Sequence, residues 1–455
     1  DLKHSEDAHR LRTLAAEVRQ GTPAEVLAIT HLPESEGLMA SYPDLSEASE
    51  YWLETPAVQA LVEAPDFPNA VPRYPVVIVD RKEALHSAWY EFFPRSAEGR
   101  GDRGSTFRDC LPRIDDAKTM GFDVIYFPPI HPIGITARKG RNNSVSCEPG
   151  EPGVPYAIGN RHQECPNGGG HCDVAPELGT LEDFDWLVRE IHARGMELAL
   201  DFAINCSPDH PYVHEHPEWF FKRPDGTIKY AENPPKKYQD VYPLNFHNPD
   251  WRRLWEELTG VVLFWAQRGV RIFRVDNPHT KPLAFWEFLI SKVQAAFPDT
   301  LFLSEAFTRP KMMLALAKAG FTQSYTYFSW RNTKAELTEY FTQLTSPQVA
   351  DFFRPNLWPN TPDILPVVLQ QGGRPAFLIR AALTTLLSPL YGIYSGFELC
   401  ENAALPNKEE YLDSEKYQWK ERDWSAPGNI KGYITALNKI RRENRALHQL
   451  RNLLF

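Results

Sequence analysis

From about residue 76 onward, short apolar runs alternate with stretches whose apolar positions recur at helical spacing. Residues 89–93 and 124–127 read as strands, with a helix over 106–120 between them. Thr180 is placed to cap the next helix, with Asp183 three residues on. Leu181, Phe184, Leu187, Val188 and Ile191 form its apolar stripe, and Gly195 ends it. A third strand follows at 197–201. Asp250 is placed to cap a helix carrying Leu254, Leu258, Val261 and Trp265, closed by Gly269. Strand 271–275, helix 282–296 and strand 301–304 come next, and the remaining strands are expected at 324–328, 352–357 and 390–394. Strands alternating with helices over this length predict an α/β fold, a (β/α)8 TIM barrel across residues 76–455.

Two regions break the alternation. Residues 130–178, rich in Gly, Pro and Asn, follow the second strand, and residues 205–249, an inserted subdomain, follow the third. Connections this long are usually functional, and both leave the strand C-terminal side. Residues 1–75 predict a separate helical segment and linker. Leu11, Leu14, Ala15 and Val18 mark one helix, and Tyr51, Trp52, Val58 and Leu61 a second, joined through 33–43. The chain begins Asp-Leu-Lys without Met, so a piece of a longer protein is expected.

Composition narrows the function classes. The chain has 455 residues, 42% apolar and 24% charged, the balance of a folded domain rather than a disordered one. Net charge is −10, which gives no general reason to expect nucleic acid or an anionic membrane as partner. No run of about 20 apolar residues suggests a membrane span. Six cysteines are too sparse for a disulfide scaffold, and a reducing cytoplasm is the simpler expectation. Cys165, His171 and Cys172 cluster, but their spacing fits no structural zinc pattern, so no metal and no cofactor is expected.

The chemistry lies at strand ends. Strand 271–275 runs into Asp276, and strand 301–304 into Glu305. In a parallel barrel, reactive groups gather at strand C-termini. Two carboxylates there suit reaction at a sugar anomeric carbon. Either acid alone could be a helix cap or an ion-pair partner. Arg274 lies two residues before Asp276, on the same face of the strand, where it would keep that acid ionised. Asp201 reads as a structural acid bonded to backbone or to an Arg. Asp363, in Pro359-Asn-Thr-Pro-Asp-Ile364, has turn formation as its local explanation.

Leu198-Ala-Leu-Asp-Phe-Ala-Ile-Asn205, Phe273-Arg-Val-Asp276 and Leu303-Ser-Glu305 resemble signatures of the α-amylase superfamily. Within it the chain is similar to the α-1,4-glucan:maltose-1-phosphate maltosyltransferases over about residues 76–400. The markers are Tyr126-Phe-Pro-Pro-Ile-His-Pro-Ile-Gly134, Arg138-Lys-Gly-Arg-Asn-Asn143, Glu232-Asn-Pro-Pro-Lys-Lys-Tyr238, Val275-Asp-Asn-Pro-His-Thr-Lys281 and Asn360-Thr-Pro-Asp-Ile364. The resemblance implies Asp276 as nucleophile, Glu305 as general acid/base and Asp363 as the acid that stabilises the distorted sugar. It implies a phosphate pocket of Asn233, Lys236, Tyr238 and Asn277, with Lys139 beside it. Cys206 stands where an amylase usually has His, and Pro362-Asp363 where His-Asp is common, which suits a maltosyltransferase better than a hydrolase.

The implied reaction moves maltosyl from α-maltose 1-phosphate to the non-reducing end of an α-1,4-glucan, with inorganic phosphate released. The family implies a homodimer, an N-terminal β domain and a C-terminal β-sandwich, and neither β domain is expected in this chain. An α-glucan hydrolase, a phosphorylase-like enzyme and a non-catalytic glucan-binding relative are the competing expectations. Tyr325, Trp330, Trp358 and Tyr391 are candidates for stacking on sugar rings, with core packing as their plainer account.

Overall fold

The computed structural model describes residues 80–160, 169–233 and 236–454, with residues 233 and 236 described by backbone alone. The two helices expected within 1–75 lie outside the described residues. Eight parallel strands carry the fold: β1 (Ser87–Glu91), β2 (Val124–Phe127), β3 (Glu197–Phe202), β4 (Ile272–Asp276), β5 (Leu301–Glu305), β6 (Gln323–Ser324), β7 (Asn356–Leu357) and β8 (Leu390–Tyr394). They pair in the order β6-β5-β4-β3-β2-β1-β8-β7. A parallel bridge between Ser324 and Pro355 joins the two ends, closing the sheet. Helices follow the strands in turn: α1 (Leu111–Met120), α2 (Leu181–Ala193), α3 (Trp251–Gln267), α4 (Leu283–Ala296), α5 (Pro310–Lys318), α6 (Lys334–Thr345), α7 (Val367–Leu386) and α8 (Lys431–Glu443).

The period-2 alternation of the strands sorts side chains between two cores. Ile125, Phe127, Leu198, Leu200, Phe273, Val275 and Phe302 point outward into the large core beneath the helices. Trp89, Val124, Tyr126, Ala199, Ile272, Leu301 and Leu303 point inward, with Tyr325 and Trp358. This smaller cluster is the apolar floor of the barrel. Trp358 lies against Gly392 of β8, where any Cβ would come within 2.3 Å of the indole. Tyr325 stacks on Trp358 at 5.2 Å between ring centroids.

The expected boundaries hold best where apolar periodicity is strong. Thr180 caps α2 with a reciprocal capping box to Asp183. Asp250 stands at the N-cap of α3 without a side-chain cap bond; its Oδ2 instead accepts from Trp219 Nε1 at 3.2 Å. Strands 6 and 7 are shorter than the expected 324–328 and 352–357. Residues 327–330 turn into a short helix after Thr326, whose hydroxyl accepts from the Phe328 amide. Barrel closure there needs only short pairing.

The two long loops knit together over the C-terminal face. Asp209 accepts from the amides of Ile135 and Thr136 at 2.6 and 2.8 Å. Ile158 bridges to both Ile133 and Cys206. In the second loop, strand 205–206 pairs with 242–243, and 231–233 with 236–238, both antiparallel.

The Gly392–Trp358 contact leaves no room for a larger residue. Gly392→Val is expected to cost about 1–3 kcal/mol through overpacking, seen as a fall of several degrees in Tm; an unchanged Tm would mean that the indole can yield.

Candidate active site

Alternation along β4 puts Ile272 in the apolar floor, Arg274 above it and Asp276 at the rim. Asp276 is in register with Glu305 on β5. Neighbouring strands lie about 4.8 Å apart, close to the carboxylate separation of about 5–5.5 Å that retaining glycosidic chemistry uses. The Arg274 guanidinium sits among three carboxylates. Nη1 donates to Asp201 Oδ2 at 3.0 Å and to Asp276 Oδ1 at 3.1 Å. Nη2 lies 3.2 Å from Glu305 Oε1. The Tyr126 and Tyr325 rings flank the guanidinium at 6.0 and 5.7 Å. Asp201 also accepts from the hydroxyls of Tyr126 at 2.7 Å and Tyr156 at 2.8 Å. Its satisfied contacts fit the structural role that the sequence suggested.

The two rim acids carry different protonation. Burial pushes the Glu305 carboxyl up to about 7, with the nearby negative charge of Asp276 adding to it and Arg274 opposing. Burial acts on Asp276 in the same sense, but Arg274, Lys281 and Lys416 outweigh it and hold Asp276 below the usual carboxylate value. At neutral pH the pair therefore supplies one ionised carboxylate and one acid close to its midpoint. Such a split separates a nucleophile from a proton donor. Asn205 Nδ2 steadies Asp276 from β3's side, donating to Oδ2 at 3.3 Å. Glu91 adds a buried acid at the end of β1, and burial drives its carboxyl well above the ordinary range.

Asn277 takes a left-handed conformation, φ 44° and ψ 52°. Its backbone N–H donates to Glu305 Oε2 at 3.1 Å, and its side chain favours the ionised form of Asp276. Asp363, half-exposed, accepts from Lys416 Nζ at 2.9 and 3.0 Å. The Lys416 ammonium also stands 5.0 Å from the centroid of the Tyr156 ring. Both Asp363 and Lys416 act electrostatically on the rim acids. Lys139 is buried and donates to Gln239 Oε1 at 2.6 Å, tying the first loop to the second. Asn233 and Lys236 face each other across the 231–233/236–238 hairpin, their side chains lying outside the description. Tyr238, on the same hairpin, lies within electrostatic reach of Tyr417.

Of the aromatic candidates, Tyr325 and Trp358 belong to the barrel floor and Tyr391 to the outer core. Trp330 is partly exposed and donates to Glu409 at 2.7 Å. Around the weighed zinc motif, Cys165 lies outside the described residues. Both His171 nitrogens are engaged, one with His210 Nε2 at 3.0 Å and one with the Ala203 carbonyl at 2.9 Å.

No family model matches the chain. It is 58% identical over 379 residues to the α-1,4-glucan:maltose-1-phosphate maltosyltransferase of Rhodospirillum rubrum, covering 83% of this chain and 54% of that protein. The Pseudomonas aeruginosa protein of that name is 60% identical over 375 residues, 82% of this chain and 55% of the other. The Myxococcus xanthus one is 51% identical over 453 residues, 100% of this chain and 64% of the other. The chain belongs to this maltosyltransferase family. It spans about half to two thirds of the length of the curated relatives it matches. Among solved structures, an α-amylase from Lactobacillus plantarum superposes with a TM-score of 0.62 at 22% identity, over 81% of this chain and 82% of that one. A maltogenic α-amylase from Thermotoga neapolitana gives 0.60 at 19%, over 81% and 79%. These two show the α-amylase barrel fold.

For this member of the maltosyltransferase family, sequence reasoning missed Lys416. It lies on a loop with no periodicity, 53 residues beyond its partner Asp363, and no local signal joins the two. Arg95 fixes that loop, donating to the carbonyls of Glu415 at 2.8 Å and Lys416 at 3.0 Å, and to Gly153 of the first loop at 2.9 Å.

The split between the rim acids can be read directly. In protein carrying 13C-labelled carboxyls, the Glu305 signal is expected to titrate near 7. Asp276→Asn should lower that midpoint by about one unit, because a neighbouring negative charge is gone. A Glu305 midpoint that ignores Asp276→Asn would show the two groups to be uncoupled.

Proposed function

We propose that the protein is a retaining transferase that moves a maltosyl group from α-maltose 1-phosphate to the non-reducing end of an α-1,4-glucan, releasing inorganic phosphate. The observation that carries this proposal is the in-register pair of ionised Asp276 and Glu305, whose carboxyl burial pushes up to about 7, around one guanidinium. The names of relatives 51–60% identical supply donor and acceptor.

In the first step an Asp276 oxygen bonds the anomeric carbon as its bond to the phosphate oxygen breaks. Glu305 gives its proton to that departing oxygen. In the second step the Glu305 carboxylate takes the proton of the acceptor 4-hydroxyl, whose oxygen attacks the same carbon and frees Asp276. Arg274 holds both carboxylates in place, and Asp363 stabilises the distorted sugar. Asn277, Asn233, Lys236, Tyr238 and Lys139 are assigned to the donor phosphate, whose oxygens need N–H and O–H donors. A homodimer, by family resemblance, and a cytoplasmic setting, from the sparse cysteines, complete the proposal. No described helix is long and apolar enough to cross a membrane.

Incubation with maltose 1-phosphate and a maltooligosaccharide should release phosphate and lengthen products by about two glucose units, the size of the transferred group. Free maltose without elongation would identify a hydrolase instead. Asp276→Ala should abolish phosphate release, and near-normal turnover would place the nucleophile elsewhere. The first step needs Glu305 protonated, so kcat/KM for the donor should fall as pH rises through about 7. Donor turnover that keeps rising beyond that pH would remove Glu305 from the acid role.

A further inference from the structure

The string Asp276-Asn-Pro-His-Thr-Lys281 contributes more than its first two residues. A non-glycine residue in the left-handed region persists only where its surroundings over-determine it. The Asn277 carbonyl accepts from the Thr280 amide at 3.2 Å, the Thr280 hydroxyl at 2.8 Å and Lys281 Nζ at 3.3 Å. Lys281 Nζ also reaches the Asp276 carbonyl at 3.5 Å. Trp286 Nε1 donates to the Pro278 carbonyl at 2.9 Å, securing the same turn. The left-handed turn is what aims the Asn277 N–H at Glu305 Oε2.

The charge of Lys281 matters for a second reason. Arg274 is divided among Asp201, Asp276 and Glu305, one cation for three acids. The groups that act on Asp276 are Arg274, His279 and Lys281 on its own strand and turn, Asp201 on β3, Glu305 on β5, Tyr156 in the first loop and Lys416 from beyond β8. Among them Lys281 is the cation anchored to the backbone of Asp276 itself.

We propose that Lys281 is a positioning residue of the catalytic centre: its ammonium clamps the Asp276 and Asn277 carbonyls, keeps the Asn277 N–H aimed at Glu305, and places a second positive charge beside Asp276. This rests on the assignment of Asp276 as nucleophile. Removing the charge raises the Asp276 carboxyl toward its ordinary value. The ionised form then persists to a less acidic limit, and the acid limb of the pH–rate profile moves up.

The test uses α-maltosyl fluoride, whose leaving group needs little acid help. An Asp276 oxygen bonds the anomeric carbon as the carbon–fluorine bond breaks, and fluoride departs with the electron pair. Fluoride release is followed against pH in the full chain and in Lys281→Met, Lys281→Arg and Thr280→Ala, each checked for an unchanged Tm. Lys281→Met should move the acid limb up by about one pH unit and slow release roughly tenfold below it. Lys281→Arg should restore the limb. Thr280→Ala, which loosens the turn without touching charge, should slow release and leave the limb in place. An unmoved limb with rates within about twofold in Lys281→Met overturns the proposal. So does a rise in donor KM alone, which would make Lys281 a donor contact. If the parent chain releases fluoride but no phosphate from maltose 1-phosphate, the proposed donor fails while Lys281 is still tested.

Discussion

The site depends on one guanidinium shared by three carboxylates. Arg274 is buried, and so are Asp201 and most of Asp276 and Glu305. Buried charges are tolerated only when paired in good geometry. A planar fork with five donors can serve several acids at once, and a lysine ammonium would meet them as a point charge. The sharing is unequal, and that inequality is its use. Asp201 takes two tyrosine hydroxyls in addition to Arg274, Asp276 takes an asparagine and lies near two lysines, and Glu305 takes a single backbone N–H. Burial raises both Asp201 and Glu305, and the acid with the least support besides Arg274 is the one pushed furthest, to about 7.

Positions at this centre are set by rigid elements. Asp201, Arg274, Asp276 and Glu305 all project from paired strands, so their spacing follows from sheet register. Below them the aromatic floor of Trp89, Tyr126, Tyr325 and Trp358 leaves the guanidinium no way to sink. The groups assigned to the rest of the substrate come from loops, and those loops have their own anchors. Arg95 and Arg422 are buried cations that hold residues 415–416 from below, Arg422 through the Glu415 and Glu401 carboxylates. Lys416 can therefore reach Asp363 without support from its own secondary structure.

What the sequence disclosed follows the same division. The barrel, most of its helices and the paired acids were legible because strand alternation and helical stripes are local patterns. Arg274 was placed correctly because two residues along a strand return to the same face. Its full set of partners was not legible, since Asp201 and Glu305 reach it across neighbouring strands. Strands 6 and 7 were overestimated because apolar residues beside a short strand look like its continuation, while Thr326 turned the chain instead. Lys416 and the loop-to-loop bond of Lys139 were invisible for a stronger reason: a loop's conformation is fixed by distant contacts that no window of sequence contains. Asp363 was reached by resemblance alone, its local context saying only that a turn was present.

The coupling between Asp276 and Glu305 also explains how one residue could act as acid and then as base. In the proposed first step Asp276 becomes an ester and loses its charge. That charge is one of the forces holding the proton on Glu305. Once it is gone, Arg274 is divided between two acids rather than three, and the Glu305 carboxylate becomes the favoured form. This is the form needed to take a proton from the acceptor. When the ester is broken, the Asp276 charge returns and draws a proton back to Glu305. The proton affinity of one acid is thus switched by the covalent state of the other, with no movement of the backbone, because both are tied to the same fixed cation.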